Sequence, residues 1–95
     1  MTTNDVQLMI GLINTLEHFA VPRDRYAIQT PPTDECACLL YVNSGWITFA
    51  YEHGDMYGMQ RHDDMLDAAC RLIGMLGSDD AEIDAMLEYF DFAVN

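Results

Sequence analysis

The chain has no lysine and very little positive charge of any kind. Its 95 residues include four arginines against 16 aspartates and glutamates, which gives a formal net charge of −12. Such a surface repels nucleic acids, which proteins bind through lysine and arginine contacts to phosphate, and it repels anionic membranes. It attracts basic protein surfaces and speeds encounter with them. The acidity therefore serves either solubility alone or a basic protein partner, without direct binding to nucleic acid or membrane.

Long apolar runs and a disulfide framework are also absent. No stretch approaches the ~20 apolar residues of a membrane span, and residues 1–5 lack the basic region of a signal peptide. Three cysteines are an odd number, which argues against closed disulfide pairing and favours a reducing cytosol. We therefore expect a cytoplasmic protein.

Motifs for metal binding and catalysis are missing as well. Cys36 and Cys38 form a C-x-C pair, but no second pair stands at a zinc-site spacing. Cys70 with His62 is the nearest approach to a nucleophile with a base, and no diagnostic motif surrounds it. We expect His62 to be a surface residue. The sequence predicts no metal, no cofactor and no enzyme activity.

Apolar residues make up 51% of the chain, enough for one core and a single acidic domain over residues 1–95. Asn4 and Gln7 have the capping-box spacing at the start of the first helix. The predicted fold class is α+β, with an N-terminal helix, a three- to four-stranded antiparallel meander, and two C-terminal helices packed on one sheet face. The predicted elements are a helix at 4–20, a short strand at 26–28, strands at 36–42, 46–52 and 56–61, and helices beginning at Asp63 or Asp64 and after Ser78.

The strand at 46–52 has two different faces. One face carries Ile47, Phe49 and Tyr51, and the other carries Trp46, Thr48, Ala50 and Glu52. We predict that helices cover the first face and that the second is partly wet. Trp46 then becomes the first choice for an exposed interface anchor, because tryptophan is favoured in binding hot spots. In the helix that follows, the predicted buried stripe is Leu66, Ala69, Ile73 and Leu76.

The last helix carries a row of carboxylates. Asp80, Asp84, Glu88 and Asp91 fall within a stripe about 80° wide at the helical period. The helix dipole explains acids in the first turn, but Glu88 and Asp91 lie near the negative end. Like charges one turn apart cost about 0.2–0.5 kcal/mol per pair. The row is either a solvated face or a surface that meets a basic groove.

The acidity is concentrated in the second half of the chain. Residues 48–95 hold eleven acids and two arginines, net −9, whereas residues 1–47 are net −3. We therefore place the candidate partner-binding surface there. The candidate partner-binding residues are Asp79, Asp80, Glu82, Asp84, Glu88, Asp91, Asp63, Asp64, Asp67, Trp46, Glu52 and Asp55.

Three segments together carry a family resemblance. A helix ends at His18-Phe-Ala-Val-Pro22, a cysteine-bearing strand turns through Ser44-Gly45 into residues 46–54, and an acid-capped helix follows from Asp63 with an Ala-Cys pair at 69–70. This pattern resembles the small α+β immunity proteins of bacterial polymorphic-toxin systems, in which a strand of the type G-W-x-V-x-x-x-E-R-G leads to such a helix. The resemblance covers residues 12–77. The arginine of that motif is His53 here, and the acidic last helix lies outside the pattern.

The resemblance implies a stoichiometric inhibitor that binds a toxin, often a nuclease, and blocks its active or substrate-binding surface. We expect the protein itself to be a monomer or homodimer in the cytosol of a bacterium or of a phage-infected host. The composition also fits a phage anti-CRISPR or other anti-defence protein, which would use carboxylate rows in place of nucleic-acid phosphates against a CRISPR-type effector. A third possibility is an adaptor or structural interaction module.

Overall fold

The computed structural model describes residues 1–95 and has an α+β fold, as predicted. A four-stranded sheet forms one layer and three helices form the other. None of the helices combines the length and apolar character needed to cross a bilayer. In chain order the elements are α1 (Thr3–His18), a short 3-10 helix (Arg23–Arg25), β1 (Tyr26–Ile28), β2 (Cys36–Val42), β3 (Gly45–Glu52), β4 (Asp55–His62), α2 (Met65–Leu76) and α3 (Asp80–Val94).

The sheet has the strand order β1-β2-β3-β4. The last three strands form the predicted antiparallel meander, but β1 pairs with β2 in parallel, with Tyr26 opposite Ala37. The connection at 29–35 contains Pro31 and Pro32, which cannot continue a strand ladder and favour an extended path. This segment carries the chain back to the end of the sheet where β1 began, so β2 runs in the same direction.

One face of the sheet, here called the inner face, is covered by the helices. It presents Ala37 and Leu39 from β2 and Trp46 from β3 to the main hydrophobic core. The helix α2 makes the principal contact with the strands, and α3 packs mainly against α1 and α2. The helical side chains buried in this core are Leu12, Leu16, Met65, Ala68, Ala69, Leu72, Ile73, Leu76, Met86 and Phe90.

The prediction of Trp46 as an exposed anchor is wrong. Its side chain is only 2% exposed and lies in the main core. The alternation of residues along β3 was assigned correctly, but the helices cover the face that was expected to be wet. The pattern misled because Thr48, the polar residue on that face, is itself buried and hydrogen-bonded to His62.

The other face of the sheet, the outer face, carries no helix. Cys38 and Phe49 are buried there in a small second cluster with Ala27, and Leu40 and Ile47 pack around them. The central strand β2 therefore contributes apolar side chains to both faces. This second cluster lets the sheet exist as a single layer with only one face covered.

Three local details also differ from expectation. Thr2, not Asn4, caps α1: the Asp5 amide donates to Thr2 Oγ1 and the Thr2 amide donates to Asp5 Oδ2, each at 3.1 Å. Leu66 is exposed and Met65 is buried instead, because the Asp64 cap sets the phase of α2. In the β2–β3 turn, Gly45 is the residue that the sequence favours for positive φ, but Asn43 and Ser44 adopt it instead.

We predict that Trp46→Ala lowers the free energy of unfolding by about 3–5 kcal/mol, since it opens a large cavity in the core. Urea denaturation followed by circular dichroism measures this loss. Phe92→Ala is the control: Phe92 is 78% exposed, and its removal should change stability by less than about 0.5 kcal/mol. Equal effects of the two substitutions would contradict the burial of Trp46.

Candidate partner-binding surface

The acidic row of α3, formed by Asp80, Asp84, Glu88 and Asp91, is exposed along its whole length. Members four residues apart rise about 6 Å along the helix axis. No arginine or histidine forms a salt bridge with any of them. Asp91 accepts a hydrogen bond from the Asn95 side-chain amide at 2.9 Å. The first three carboxylates of the row have no hydrogen-bond or salt-bridge partner in the structure.

Other candidate acids have structural roles at helix starts. Asp64 Oδ1 accepts from the Asp67 amide, and Asp79 Oδ1 accepts from the Glu82 amide, both at 2.8 Å. Glu82 in turn accepts two hydrogen bonds from Ser78, from its amide and its hydroxyl, at 3.2 Å. These bonds satisfy free amides of the first helical turn. Folding alone accounts for Asp64, Asp79 and Glu82.

The structure does not bring the candidate residues into one patch. Asp63, Asp64 and Asp67 lie at the start of α2, while the acidic row begins after its end. The 12 residues of α2 span about 18 Å. Glu52 and Asp55 face each other across the tip of the β3–β4 hairpin, and Trp46 lies in the core. The acidic row of α3 is therefore the most regular and least compensated of three separate acidic regions.

Aromatic rings lie beside the acidic row. The Tyr89 ring stacks on His18 with centroids 4.0 Å apart and planes at 10°, and Phe19 meets Tyr89 edge-on at 6.0 Å. Phe92 lies one turn beyond Glu88 and is 78% exposed. The exposure of Phe92 was not predicted from the sequence. Its position on α3 was the available signal, because it falls outside the buried stripe formed by Met86 and Phe90.

A hydroxyl, an imidazole and a carboxylate line up at the junction of β3, β4 and α2. His62 Nε2 lies 2.8 Å from Thr48 Oγ1, and His62 Nδ1 lies 2.6 Å from Asp67 Oδ2. Because a carboxylate only accepts, Nδ1 donates to Asp67, and in the neutral ring Nε2 accepts from Thr48. The prediction of a surface His62 is wrong, since this side chain is buried.

This arrangement has the order of groups found in a nucleophilic triad, but its hydroxyl has no access to a substrate. Thr48 is fully buried, and neither Thr48 nor His62 lines any of the three clefts of the molecule. The three side chains therefore hold the first turn of α2 against the sheet.

The cysteines are free thiols. Cys36 Sγ and Cys38 Sγ lie 3.5 Å apart. Burial raises the pKa of Cys38 to about 12, and its contact with Cys36 adds to the increase. Burial also raises the pKa of Cys70, together with the nearby carboxylates of Asp67 and Asp64. Protonated thiols are poor nucleophiles and metal ligands, and no three potential ligands cluster at a metal-binding distance.

The largest cleft measures about 570 Å³ and lies where the ends of β2 and β3 meet α2. Two arginines, Arg25 and Arg71, and two glutamates, Glu35 and Glu52, line it. The opposite charges balance, so this cleft does not extend the acidic surface.

No family model matches the chain, and no curated protein or solved structure does either. The resemblance to immunity proteins therefore remains a prediction from the motif.

We predict that Thr48→Val costs about 1–3 kcal/mol of stability, because it leaves His62 Nε2 buried without a partner. Thermal or urea denaturation measures the loss. Thr33→Val, at an exposed loop position, is the matched control and should lie within about 0.5 kcal/mol of the wild type. A neutral Thr48→Val substitution would show that the hydroxyl contributes nothing to holding His62.

We also predict that iodoacetamide at pH 8 modifies Cys36 before Cys38 in the folded protein. Burial raises the pKa of Cys38 to about 12, so its thiol stays protonated at that pH, and the side chain is fully buried. Mass spectrometry of the alkylated peptides shows which cysteine reacts first. In the urea-unfolded chain, Cys36 and Cys38 should react at similar rates. Equal rates in the folded state would contradict the account of the Cys38 environment.

Proposed function

We propose that the protein is a non-enzymatic inhibitor that binds a basic surface of a partner enzyme, such as a nuclease toxin, and blocks it in the manner of an immunity protein. The observation that carries the proposal is the exposed acidic row of α3, whose carboxylates at Asp80, Asp84 and Glu88 form no salt bridge. The cost of placing like charges one turn apart is recovered when a basic partner neutralises them.

The charge of the whole chain supports the same mode of binding. A net charge of −12 on 95 residues raises the rate of encounter with a cationic protein and makes that rate fall with ionic strength. Nucleases expose basic surfaces because they bind phosphates. A carboxylate row of this kind competes for the lysines and arginines that hold the nucleic-acid substrate.

Phe92 complements the row. Burial of an exposed aromatic side chain is a common source of affinity at the centre of an interface, whereas charges at the rim mainly set the rate and the specificity of association. In the proposed complex, Asp80, Asp84 and Glu88 steer the approach, and Phe92 supplies apolar contact at the end of the same helix.

A second candidate is an anti-defence protein that replaces nucleic acid on a CRISPR-type effector. The regular spacing of the row favours it, because carboxylates repeated about every 6 Å along a rigid helix form a linear array of negative charge, as a phosphate backbone does. Both candidates use the same surface on the same kind of partner and differ only in the enzyme that is blocked.

We predict that a stoichiometric amount of the protein abolishes the activity of its cognate nuclease. A panel of purified toxin nucleases and CRISPR-type effectors, including the product of any neighbouring gene, identifies that partner by inhibition of nucleic-acid cleavage. Asp80→Asn, Asp84→Asn and Glu88→Gln together should lower the association rate at least about tenfold and reduce its salt dependence, while circular dichroism remains unchanged.

Asp24→Asn, Asp34→Asn and Glu35→Gln together are the matched control, since they remove the same charge from exposed positions far along the chain from α3. This control should slow association by less than about threefold. If both triple variants slowed association equally, only net charge would matter. If neither did, with inhibition retained, the acidic row would have no role in binding.

A further inference from the structure

The strand β4 is the long free edge of the sheet. It ends the strand order β1-β2-β3-β4 and pairs only with β3, and seven of its eight residues are exposed. The opposite edge, β1, is only three residues long and is followed by a segment that contains Pro31 and Pro32. An edge strand presents unpaired amides and carbonyls to which another strand can add. The sheet can therefore be extended at β4.

The hairpin turn shows which main-chain groups of β4 point away from the sheet. His53 and Gly54 have positive φ and form a two-residue turn, so Glu52 and Asp55 are a hydrogen-bonded pair. Bonded and non-bonded pairs alternate along an antiparallel ladder, and the amide and carbonyl of Met56 therefore face the free edge. None of the hydrogen bonds of turns, loops and caps involves these two groups.

Apolar side chains stand on both sides of this edge. Met56, Tyr57 and Met59 are 55%, 50% and 51% exposed, and they are three of the eight large apolar side chains that the chain exposes. Tyr57 pairs with Ala50 on the inner face, and Met56 pairs with Tyr51 on the outer face. A strand that adds to β4 therefore meets an apolar cross-strand neighbour on each face.

Carboxylates flank β4 at both ends. Glu52 and Asp55 lie at the hairpin tip, and Asp63 and Asp64 follow the last residue of the strand. The eight residues of β4 span about 26 Å. Two of the three acidic regions of the molecule thus lie at the two ends of one free edge, with apolar side chains between them.

The one arginine of β4 does not neutralise these acidic ends. Arg61 donates from its guanidinium to the Asn43 carbonyl at 3.2 Å, and the guanidinium packs against Gly45. Both partners belong to the turn between β2 and β3 and to the start of β3. The side chain therefore lies across β3, away from the free edge, and forms no salt bridge.

We propose that β4 binds an extended cationic segment of another protein, which adds to the sheet as a further strand. Main-chain hydrogen bonds to the free edge supply affinity in this mode of recognition, and alternate side chains supply specificity. The segment has apolar residues in its middle, against Met56, Tyr57 and Met59. It has lysine or arginine at both ends, against the carboxylates of the hairpin tip and of the start of α2.

The charges at the two ends decide against a second copy as the occupant. Two β4 strands related by a two-fold axis run antiparallel, so the hairpin tip of each copy would lie beside the start of α2 of the other. Asp55 would then face Asp63 and Asp64 at both ends of the pair, and like charges directly opposite each other are destabilising. A cationic segment places opposite charges there, and the net charge of −12 favours its encounter.

Titration of the full chain with a fluorescent synthetic peptide tests strand addition. The peptide has about ten residues, with lysines at both ends, alternating valine and threonine between them, and a central glycine that lets it follow the bulge at Gly58. One control peptide keeps the lysines but has proline at alternate positions, which removes main-chain donors. A second control has glutamates in place of the lysines. Fluorescence anisotropy should show binding at least about tenfold tighter than that of either control.

A pair of substitutions at one position isolates the main-chain contribution. Met56→Pro removes an amide that faces the free edge, a position at which an edge strand tolerates proline. Met56→Ala is the matched control, because it shortens the same side chain and keeps the amide. We expect Met56→Pro to weaken peptide binding at least about tenfold and Met56→Ala to weaken it less than about threefold. Circular dichroism establishes that both variants are folded.

Amide hydrogen exchange of the wild-type chain gives an independent measurement. Saturation with the lysine-ended peptide should slow exchange in β4, whose outward amides then donate to the peptide. Equal affinity for the lysine-ended peptide and its proline control would overturn the proposal, because charge alone would then account for binding. Slowed exchange in α3, with β4 unchanged, would overturn it too, by assigning the peptide to the acidic row.

Strand addition at β4 does not depend on the proposed inhibitory function. Asp80→Asn, Asp84→Asn and Glu88→Gln together should change peptide affinity by less than about threefold, although they should slow association with the nuclease. A loss of peptide binding in this variant as large as in Met56→Pro would contradict a separate site on β4. A chain that binds the peptide at β4 and inhibits no nuclease would contradict only the inhibitory function.

Discussion

Burial of α2 against the inner face of the sheet is the contact on which the rest of the structure depends. The helix α2 makes most of the helical contact with the strands, and α1 and α3 are attached mainly through it and through each other. Trp46 and Leu39 from the strands meet Met65, Leu72 and Ile73 in this layer. The hydrogen bonds of the buried His62 to Thr48 and to Asp67 fix the first turn of the helix on the sheet. The helices all lie on this side of the sheet, and the opposite side has its own small buried cluster of Ala27, Cys38 and Phe49.

The molecule therefore has two surfaces with different physical properties. Negative charge is concentrated at helix starts, at the hairpin tip and along the exposed side of α3, where Asp80, Asp84 and Glu88 have no counter-charge. The outer face, with Phe49 at its centre and Met59 at its edge, has no negative charge. Charge-driven association weakens with salt, while apolar association between like-charged molecules strengthens.

Periodicity and turn residues predicted the element types and the α+β class, because apolar residues recur at helical spacing in α1, α2 and α3 and the strands β2 and β3 are continuous apolar runs. The covered face of the sheet could not be predicted in this way. Both faces of β2 and β3 are apolar. In the sequence, Thr48 indicates a solvent-facing position, because the hydrogen bond between its buried hydroxyl and His62 depends on the tertiary structure. Trp46 was misplaced for the same reason. The parallel pairing of β1 depends on the path of segment 29–35, which carries no periodic signal. The acidic row was predicted correctly as a helical stripe, since its spacing is local, whereas the exposure of Phe92 depends on how α3 packs against α1.

The central claim is that the acidic row of α3 contacts the partner. Amide hydrogen exchange of the protein, alone and saturated with a nuclease that it is proposed to inhibit, tests this claim most directly. The account predicts that slowed exchange is concentrated in α3, around Asp84 and Glu88, with the hairpin tip and the start of α2 less affected. Protection confined to the outer face of the sheet or to the cleft between Arg25 and Arg71, with α3 exchanging as in the free protein, would contradict it.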